Sequence, residues 1–285
     1  MRIGIIGAGQ VGSSLARKLG ATGHTILLAN SREPDTIRAI ADAAGAAAVT
    51  VAEAVKDVEI VILAIPERNV PLLPKVLFER VSPKVIVVDA GNYYPAMRED
   101  AIDEIESGMP ESQWVSQQLG RPVVKAFNTI LAHSLATKGG PDRVNSRIAL
   151  PVSGDDSRAR KIVIDLIYSM GFDAIDAGAI AESWRQQPGT PACCSDLQAD
   201  DLRRLVNGRQ GAGSAPARSY PSEDERAQWR VYDQGPHRHQ SRCAQSIGLR
   251  NIRLRTELEI GFEDAASNLI QMQSHQCIRL KRTTV

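Results

Sequence analysis

Aromatic residues make up only 4% of this chain, and histidine occurs just five times. A core must therefore come from Ala, Val, Ile and Leu, and a histidine-based metal centre has few ligands to draw on. The four cysteines are Cys193, Cys194, Cys243 and Cys277. No CxxC or Cys/His spacing links them, and adjacent Cys193-Cys194 is ill suited to a disulfide. A reducing cytoplasm is the expected compartment, with no metal site. The formal net charge of +1 points to neither nucleic acid nor an anionic membrane. No apolar run approaches the length of a membrane span, and the start of the chain carries no basic leader or signal-peptide pattern. A Ser-His-Asp or Cys-His arrangement is also missing. The 285 residues suffice for one large domain or two smaller ones.

What is present begins at the first residues, MRIGIIGAGQVG. Ile3, Ile5 and Ile6 form an apolar strand that feeds into Gly7-Ala8-Gly9-Gln10-Val11-Gly12. Gly7 allows a tight turn, Gly9 lets a pyrophosphate approach the backbone, and Gly12 lets the next helix pack closely. The helix Gln10–Leu19 turns Val11, Leu15 and Leu19 to one side. Its uncommitted N–H groups and positive dipole end favour a phosphate. The second strand, Thr25–Ala29, ends in Asn30-Ser31-Arg32 instead of an acid. An acid there would bind a ribose 2′-OH and repel a 2′-phosphate. Ser31 and Arg32 suit the phosphate, so the expected cofactor is NADP(H) rather than NAD.

Strand and helix patterns then alternate. Expected strands are Ala47–Thr50, Glu59–Ile65, Val85–Asp89 and Val123–Phe127. Expected helices are Pro34–Ala44, Val51–Lys56, Asn69–Arg80, Ala101–Ser107 and Glu111–Leu119. The apolar strands are of the kind buried on both faces of a parallel sheet. The fold class is α/β: a Rossmann-type doubly wound sheet with right-handed crossovers. A smaller α/β unit follows, with strands Arg147–Ser153 and Phe172–Asp176 around a helix Ser157–Met170 capped by Gly154-Asp155-Asp156. Pattern alone does not decide whether this unit extends the first sheet. The expected domains are an NADP-binding domain at 1–130, an acceptor-side unit at 131–206, and an atypical tail at 207–285.

Several strand ends carry chemistry. Ile65 and Pro66 close the fourth strand near the switch point where dinucleotides lie. Asn92 can reach the nicotinamide side, and Tyr93 and Tyr94 either stack on a planar ring or pack in the core. Asn128 and Thr129 sit at the ligand edge, where Asn128 can hydrogen-bond a carboxamide or an acceptor carbonyl. Lys125 either stabilises developing negative charge or forms a salt bridge. His133 is a candidate proton relay. The run Ser183-Trp184-Arg185-Gln186-Gln187 either holds an anionic or planar partner or forms a lid or interface. The candidate catalytic residues are thus Asn128, Lys125 and His133. The candidate cofactor residues are Gly7 to Gly12, Ser31, Arg32, Ile65, Pro66, Asn92 and Asn128.

The ordered motifs carry a family likeness. The fingerprint, Ala64-Ile65-Pro66, Lys125-Ala126-Phe127-Asn128-Thr129-Ile130, Gly154-Asp155-Asp156 and Asp176-Ala177-Gly178 follow one another. Together they resemble the NADPH-dependent coenzyme F420 reductases (F420H2:NADP oxidoreductases). Asp89-Ala90-Gly91-Asn92-Tyr93-Tyr94-Pro95 and the run from Glu182 to Pro191 are similar to a bacterial branch. The resemblance implies hydride transfer between NADPH and a second planar ring, with coenzyme F420 one such acceptor. It also implies that Lys125–Ile130 borders the nicotinamide and the acceptor. Two other readings stay open: an imine or carbonyl reductase similar to pyrroline-carboxylate reductases, and a non-catalytic NADP sensor. The expected partner is a small-molecule or cofactor acceptor, with no nucleic acid or membrane and a homodimer as the candidate assembly. The resemblance stops abruptly after Leu202-Arg203-Arg204. From about 207 the chain is a poor core builder, expected to pack loosely, and reads either as a frame-shifted end or as a lineage-specific extension.

Overall fold

The computed structural model describes residues 1–95, 100–140 and 147–207. Expectations for the tail from 208 onward lie outside the described residues. In chain order the elements are β1 (Arg2–Ile6), α1 (Gln10–Ala21), β2 (Thr25–Ala29), α2 (Arg38–Ala43), β3 (Ala47–Ala48), α3 (Val51–Ala54), β4 (Ile60–Leu63) and β5 (Ile86–Asp89). Then come α4 (Asp103–Glu106), α5 (Glu111–Leu119), β6 (Val124–Lys125), α6 (Ala132–Thr137), β7 (Ala149–Val152), α7 (Ser157–Ser169), β8 (Asp173–Asp176) and α8 (Ala199–Asn207). Three 3-10 segments join them at Pro34–Ile37, Glu67–Leu72 and Ile180–Gln186.

Six strands form one parallel sheet in the order β3-β2-β1-β4-β5-β6. The direction of winding reverses between β1 and β4, which makes that boundary the topological switch point. The register is the feature that builds the site. Ile6 pairs with Ala29 and with Leu63, Leu63 pairs with Asp89, and Asp89 pairs with Lys125. These five residues form one row across the C-terminal edge. The segments that follow them therefore emerge side by side: Gly7, Asn30, Ala64, Ala90 and Ala126.

Alternation along the strands fills two separate cores. Ile3, Ile5, Ile60, Ile62 and Val88 pack with Leu15, Ala16 and Leu19 of α1 and with Val163, Leu166 and Ile167 of α7. Leu27, Val61, Leu63 and Val87 pack on the other face with Ala54 of α3 and with Trp114 and Val115 of α5. β1 runs close under the end of α3: a Cβ on Gly4 would stand 1.7 Å from the Ala54 carbonyl oxygen. The smaller unit is a parallel pair, β7 and β8, tied to β6 through an antiparallel bridge between Lys125 and Ser153. Leu202 and Val206 of α8 cover Ala149 and Ile175 of that pair.

Two expected elements differ. Asn69–Arg80 is not an α-helix: a 3-10 segment spans Glu67–Leu72 and turns follow. Pro71 and Pro74 each lack an N–H and disfavour the α conformation of the residue before them, which breaks the helical ladder twice. Pro34–Ala44 splits into a 3-10 turn and the short α2.

Candidate dinucleotide site

The loop after β1 is shaped by missing side chains. Gly7 has φ +119°, and a Cβ there would lie 2.2 Å from the Ala64 carbonyl oxygen. A Cβ on Gly12 would lie 1.8 Å from the Gly7 carbonyl oxygen, so α1 is pressed onto the turn itself. Gly9 is different: a Cβ there meets nothing within 4 Å. Open space above Gly9 is what a pyrophosphate would fill, and a side chain would obstruct it. Gly9 is also the N-cap of α1, with no side-chain cap and no acid in the first turn. The leading N–H groups of Gln10, Val11 and Gly12 stand at the positive end of the helix dipole. Ala8, half-buried, packs on the first core.

The β2 end lies beside this loop, since the Gly7 N–H donates to the Ala29 carbonyl at 2.8 Å. Asn30 builds the turn. Its Oδ1 accepts from the Arg32 N–H at 3.0 Å, and its Nδ2 donates to Thr36 Oγ1 at 3.2 Å. Ser31 and Arg32 are exposed, and no ion pair engages Arg32 among the described residues. On the other flank, Ala64, Ile65 and Pro66 are half-buried. Ile65 Cγ2 stands 3.1 Å from the position a Gly7 Cβ would take, so it walls the loop.

The β5 and β6 ends are built from buried polar groups instead. Asn92 Nδ2 donates to the Asn128 carbonyl at 2.9 Å, and Asn128 Nδ2 donates to Asn92 Oδ1 at 3.0 Å and to the Gln186 carbonyl at 2.7 Å. Three segments far apart in sequence thus meet at one amide pair. Asn128 Oδ1 is buried with no hydrogen-bond partner in the described structure, as are Ser183 Oγ and both amide atoms of Gln186. Buried polar atoms without partners are costly, and an amide-bearing ligand is one way to satisfy them.

Behind this pair lies an ionic knot. Lys125 is fully buried, and its Nζ donates to Asp89 Oδ2 at 3.1 Å and to the Gly91 carbonyl at 2.7 Å. Glu111 Oε2 lies 3.7 Å from the same nitrogen. Asp89 also accepts from Ser112 Oγ at 2.5 Å and from the Gly91 N–H at 2.9 Å. Glu67 is buried too, and a Cβ on Gly91 would stand 2.5 Å from its Oε1. Burial alone would push the Lys125 ammonium down, but Asp89, Glu111 and Glu67 outweigh it and hold its pKa above the ordinary 10.5. Glu111 sits in the first turn of α5, where the helix dipole favours a carboxylate.

The candidate residues therefore divide. Gly7 to Gly12, Ile65 and Pro66 surround one loop, and Asn92 joins Asn128. Lys125 is enclosed by its carboxylates. His133 is exposed on α6. Tyr93 does not stack: it is fully buried, and its hydroxyl accepts from the Ile102 N–H at 2.8 Å. Tyr94 is half-buried, with its hydroxyl against Cys193. Trp184 is half-buried under the Arg185 guanidinium, 4.4 Å from the ring centroid. Glu67 and Glu111 are the residues that motif reasoning passed over, while Gln186 belongs to the polar run already singled out. A lone Asp89 and a lone Lys125 inside apolar strands were the available signal, because such charges require partners.

Residues 2–93 match the family model described as NADP oxidoreductase, coenzyme F420-dependent. The chain is similar to the hypothetical protein SMa0349 from Sinorhizobium meliloti. That likeness is 34% identity with a TM-score of 0.60, covering 70% of this chain and 96% of the other. It is also similar to YjhV from Escherichia coli (strain K12), 41% identical over 76 residues. That match covers 26% of this chain and 56% of the relative, so the chain spans just over half the length of that curated protein. A structure from Arthrobacter sp. FB24, provisionally named an F420-dependent NADP-reductase, is 20% identical with a TM-score of 0.51. It covers 64% of this chain and 86% of its own, and shares the fold. Among the described residues, no helix is long and apolar enough to cross a membrane and no cluster is suited to a metal ion.

Proposed function

Starting from a chain that belongs to the family of NADP oxidoreductases described as coenzyme F420-dependent, we propose that it transfers a hydride between NADPH and a second planar acceptor. Coenzyme F420 is the first acceptor to test. The observation that carries this reading is the open cradle over Gly9 at the uncapped start of α1, beside the exposed Ser31 and Arg32.

When bound, NADPH supplies the hydride and an oxidised planar ring receives it; the chemistry is the cofactor's. The protein's part is to bind, align and keep water out. The N–H groups of Gln10, Val11 and Gly12 hold the pyrophosphate. Ser31 and Arg32 hold the 2′-phosphate, with Arg32 able to meet it through two parallel hydrogen bonds. Ile65 and Pro66 wall the dinucleotide. Asn128 Oδ1, buried and without a partner, accepts from the carboxamide, while Asn92 fixes the orientation of Asn128. Trp184 and Arg185 flank the acceptor side. Lys125 is a positioning residue: it holds the Gly91 carbonyl and the Asp89 carboxylate, and through them the turn that carries Asn92.

Reduction of a small imine or carbonyl would call for a proton donor near the acceptor, and Lys125 and His133 were its candidates. One is enclosed by carboxylates and the other faces solvent. No observation favours that reading. The test is an acceptor screen run with NADPH and NADH side by side, using F420, small imines and small carbonyls. NADPH oxidation by F420 well above that by the small acceptors is expected. No NADPH binding by calorimetry would end the proposal. Binding without turnover on any acceptor would leave a binding protein instead.

A further inference from the structure

Cys193 and Cys194 have no part in the hydride reaction, yet they occupy the seam of the candidate site. Their Sγ atoms lie 3.4 Å apart. The Cys194 N–H donates to the Thr129 carbonyl at 2.7 Å, so it is fastened to the residue after Asn128. The Cys193 N–H donates to the Thr190 carbonyl at 3.1 Å, and the Cys193 thiol sits against the Tyr94 hydroxyl and near Glu111. Cys194 is exposed and Cys193 half-buried.

We propose that Cys193 and Cys194 form a dithiol that hydroperoxides oxidise reversibly to a disulfide between adjacent residues. The two sulfurs have different roles. Its hydrogen bond to Cys194, burial and the nearby Glu111 push the Cys193 thiol up, outweighing the Tyr94 hydroxyl that pulls it down, so in this pair Cys193 is the sulfur that keeps its proton. The exposed Cys194 is then the attacking thiolate. Its sulfur bonds to the distal peroxide oxygen, the O–O bond breaks, and the departing hydroxide or alkoxide takes a proton, leaving a sulfenic acid. The Cys193 sulfur attacks that sulfur, an S–S bond forms, the S–O bond breaks, and hydroxide leaves with the Cys193 proton as water. Two thiols lose two electrons, and one hydroperoxide is reduced.

Neighbouring Cα atoms stand about 3.8 Å apart, below the ~4.4–6.8 Å of ordinary disulfides. The ring is strained, and strained disulfides are the easily reduced ones. Such a bond suits a reversible switch and not a structural staple. Closure draws the sulfurs together by about 1.4 Å, to the ~2.05 Å bond length, and pulls on both the Thr129 and the Tyr94 contacts.

The experiment uses the full chain, reduced, exposed to hydrogen peroxide, alkylated and digested for mass mapping. The peptide holding both cysteines should lose two hydrogens and regain them with dithiothreitol. Cys194→Ser should abolish the loss, and Cys193→Ser should leave a sulfenic acid that dimedone traps. Oxidation confined to Cys243 or Cys277, or a link from Cys194 to either of them, overturns the proposal. A second readout rests on the proposed function: NADPH oxidation should fall severalfold on closure and recover on reduction, in the parent chain but not in Cys194→Ser. Closure with unchanged turnover overturns the coupling to the site, whereas the mass readout stands whatever the acceptor is.

Discussion

The two flanks of the sheet's C-terminal edge share one register row, yet they are built by opposite means. The β1–β2 flank is made by omission: glycines at 7, 9 and 12, an uncapped helix, and an exposed Ser31-Arg32. The β5–β6 flank is made by mutual satisfaction: Lys125 among Asp89, Glu111 and Glu67, and Asn92 against Asn128. The first flank leaves backbone donors and space for a charged ligand. The second spends most of its polar groups on one another and leaves Asn128 Oδ1, Ser183 Oγ and the Gln186 amide unmatched. A dinucleotide spanning both would meet loose, charge-assisted contacts at its phosphate end and a rigid amide pair at its reactive end.

The largest break in that comparison comes from the ionic knot. Lys125→Met leaves three buried carboxylates facing one another, and losing one partner of such a cluster costs roughly 3–5 kcal/mol. Chemical denaturation should record that loss; a change below about 1 kcal/mol would mean the knot is dispensable. The pH dependence carries a sign. The folded-state pKa of Lys125 lies above its ordinary 10.5. Its contribution is therefore complete below that value and is lost as pH rises through the raised one. The gap in stability between the parent chain and Lys125→Met should narrow above about pH 10.5 and stay wide near neutrality.

The glycines sharpen the comparison within one loop. Gly12→Ala drives a methyl into the Gly7 carbonyl, 1.8 Å away, and overpacking of this kind costs about 1–3 kcal/mol. Gly9→Ala has a φ of −75° and open space, so stability should change by about 1 kcal/mol or less. Calorimetry should instead show NADPH affinity reduced about tenfold, near 1.4 kcal/mol. If Gly9→Ala leaves NADPH affinity unchanged, the open cradle has been misassigned.

This asymmetry also explains what the sequence revealed. A loop defined by glycine spacing is written in consecutive residues, so Gly7, Gly9, Gly12 and the sheet around them were legible. The Ser31-Arg32 ending was legible for the same reason, although Asn30 as the residue that forms the turn was not. The knot joins positions 67, 89, 111 and 125, and no local pattern tells which acid meets Lys125. Asp155 makes the same point. It reads as part of a helix cap beside Asp156, but Asp156 alone caps α7, and Asp155 Oδ1 accepts from the Ile180 N–H at 3.0 Å. Tyr93 reads equally as a stacking ring or a core residue, and only its burial and the bond to Ile102 decide.

Arg32 and His133 give the comparison its finest test, because both are exposed and only one lies on the phosphate flank. Arg32→Ala should leave stability within about 0.5 kcal/mol. It should weaken NADPH by roughly 1–3 kcal/mol, the worth of one charge-assisted contact, while NADH binding barely moves. Equal losses for the two nucleotides would place the 2′-phosphate elsewhere. His133→Gln is expected to change stability and NADPH affinity by less than about 0.5 kcal/mol, and to leave the pH profile of turnover unchanged. A histidine in solvent on α6 lacks the enclosure that would tie its proton to the reacting ring. A severalfold fall in turnover in His133→Gln with NADPH affinity unchanged would return the imidazole to the reaction, and with it the case for a reductase that must protonate its acceptor.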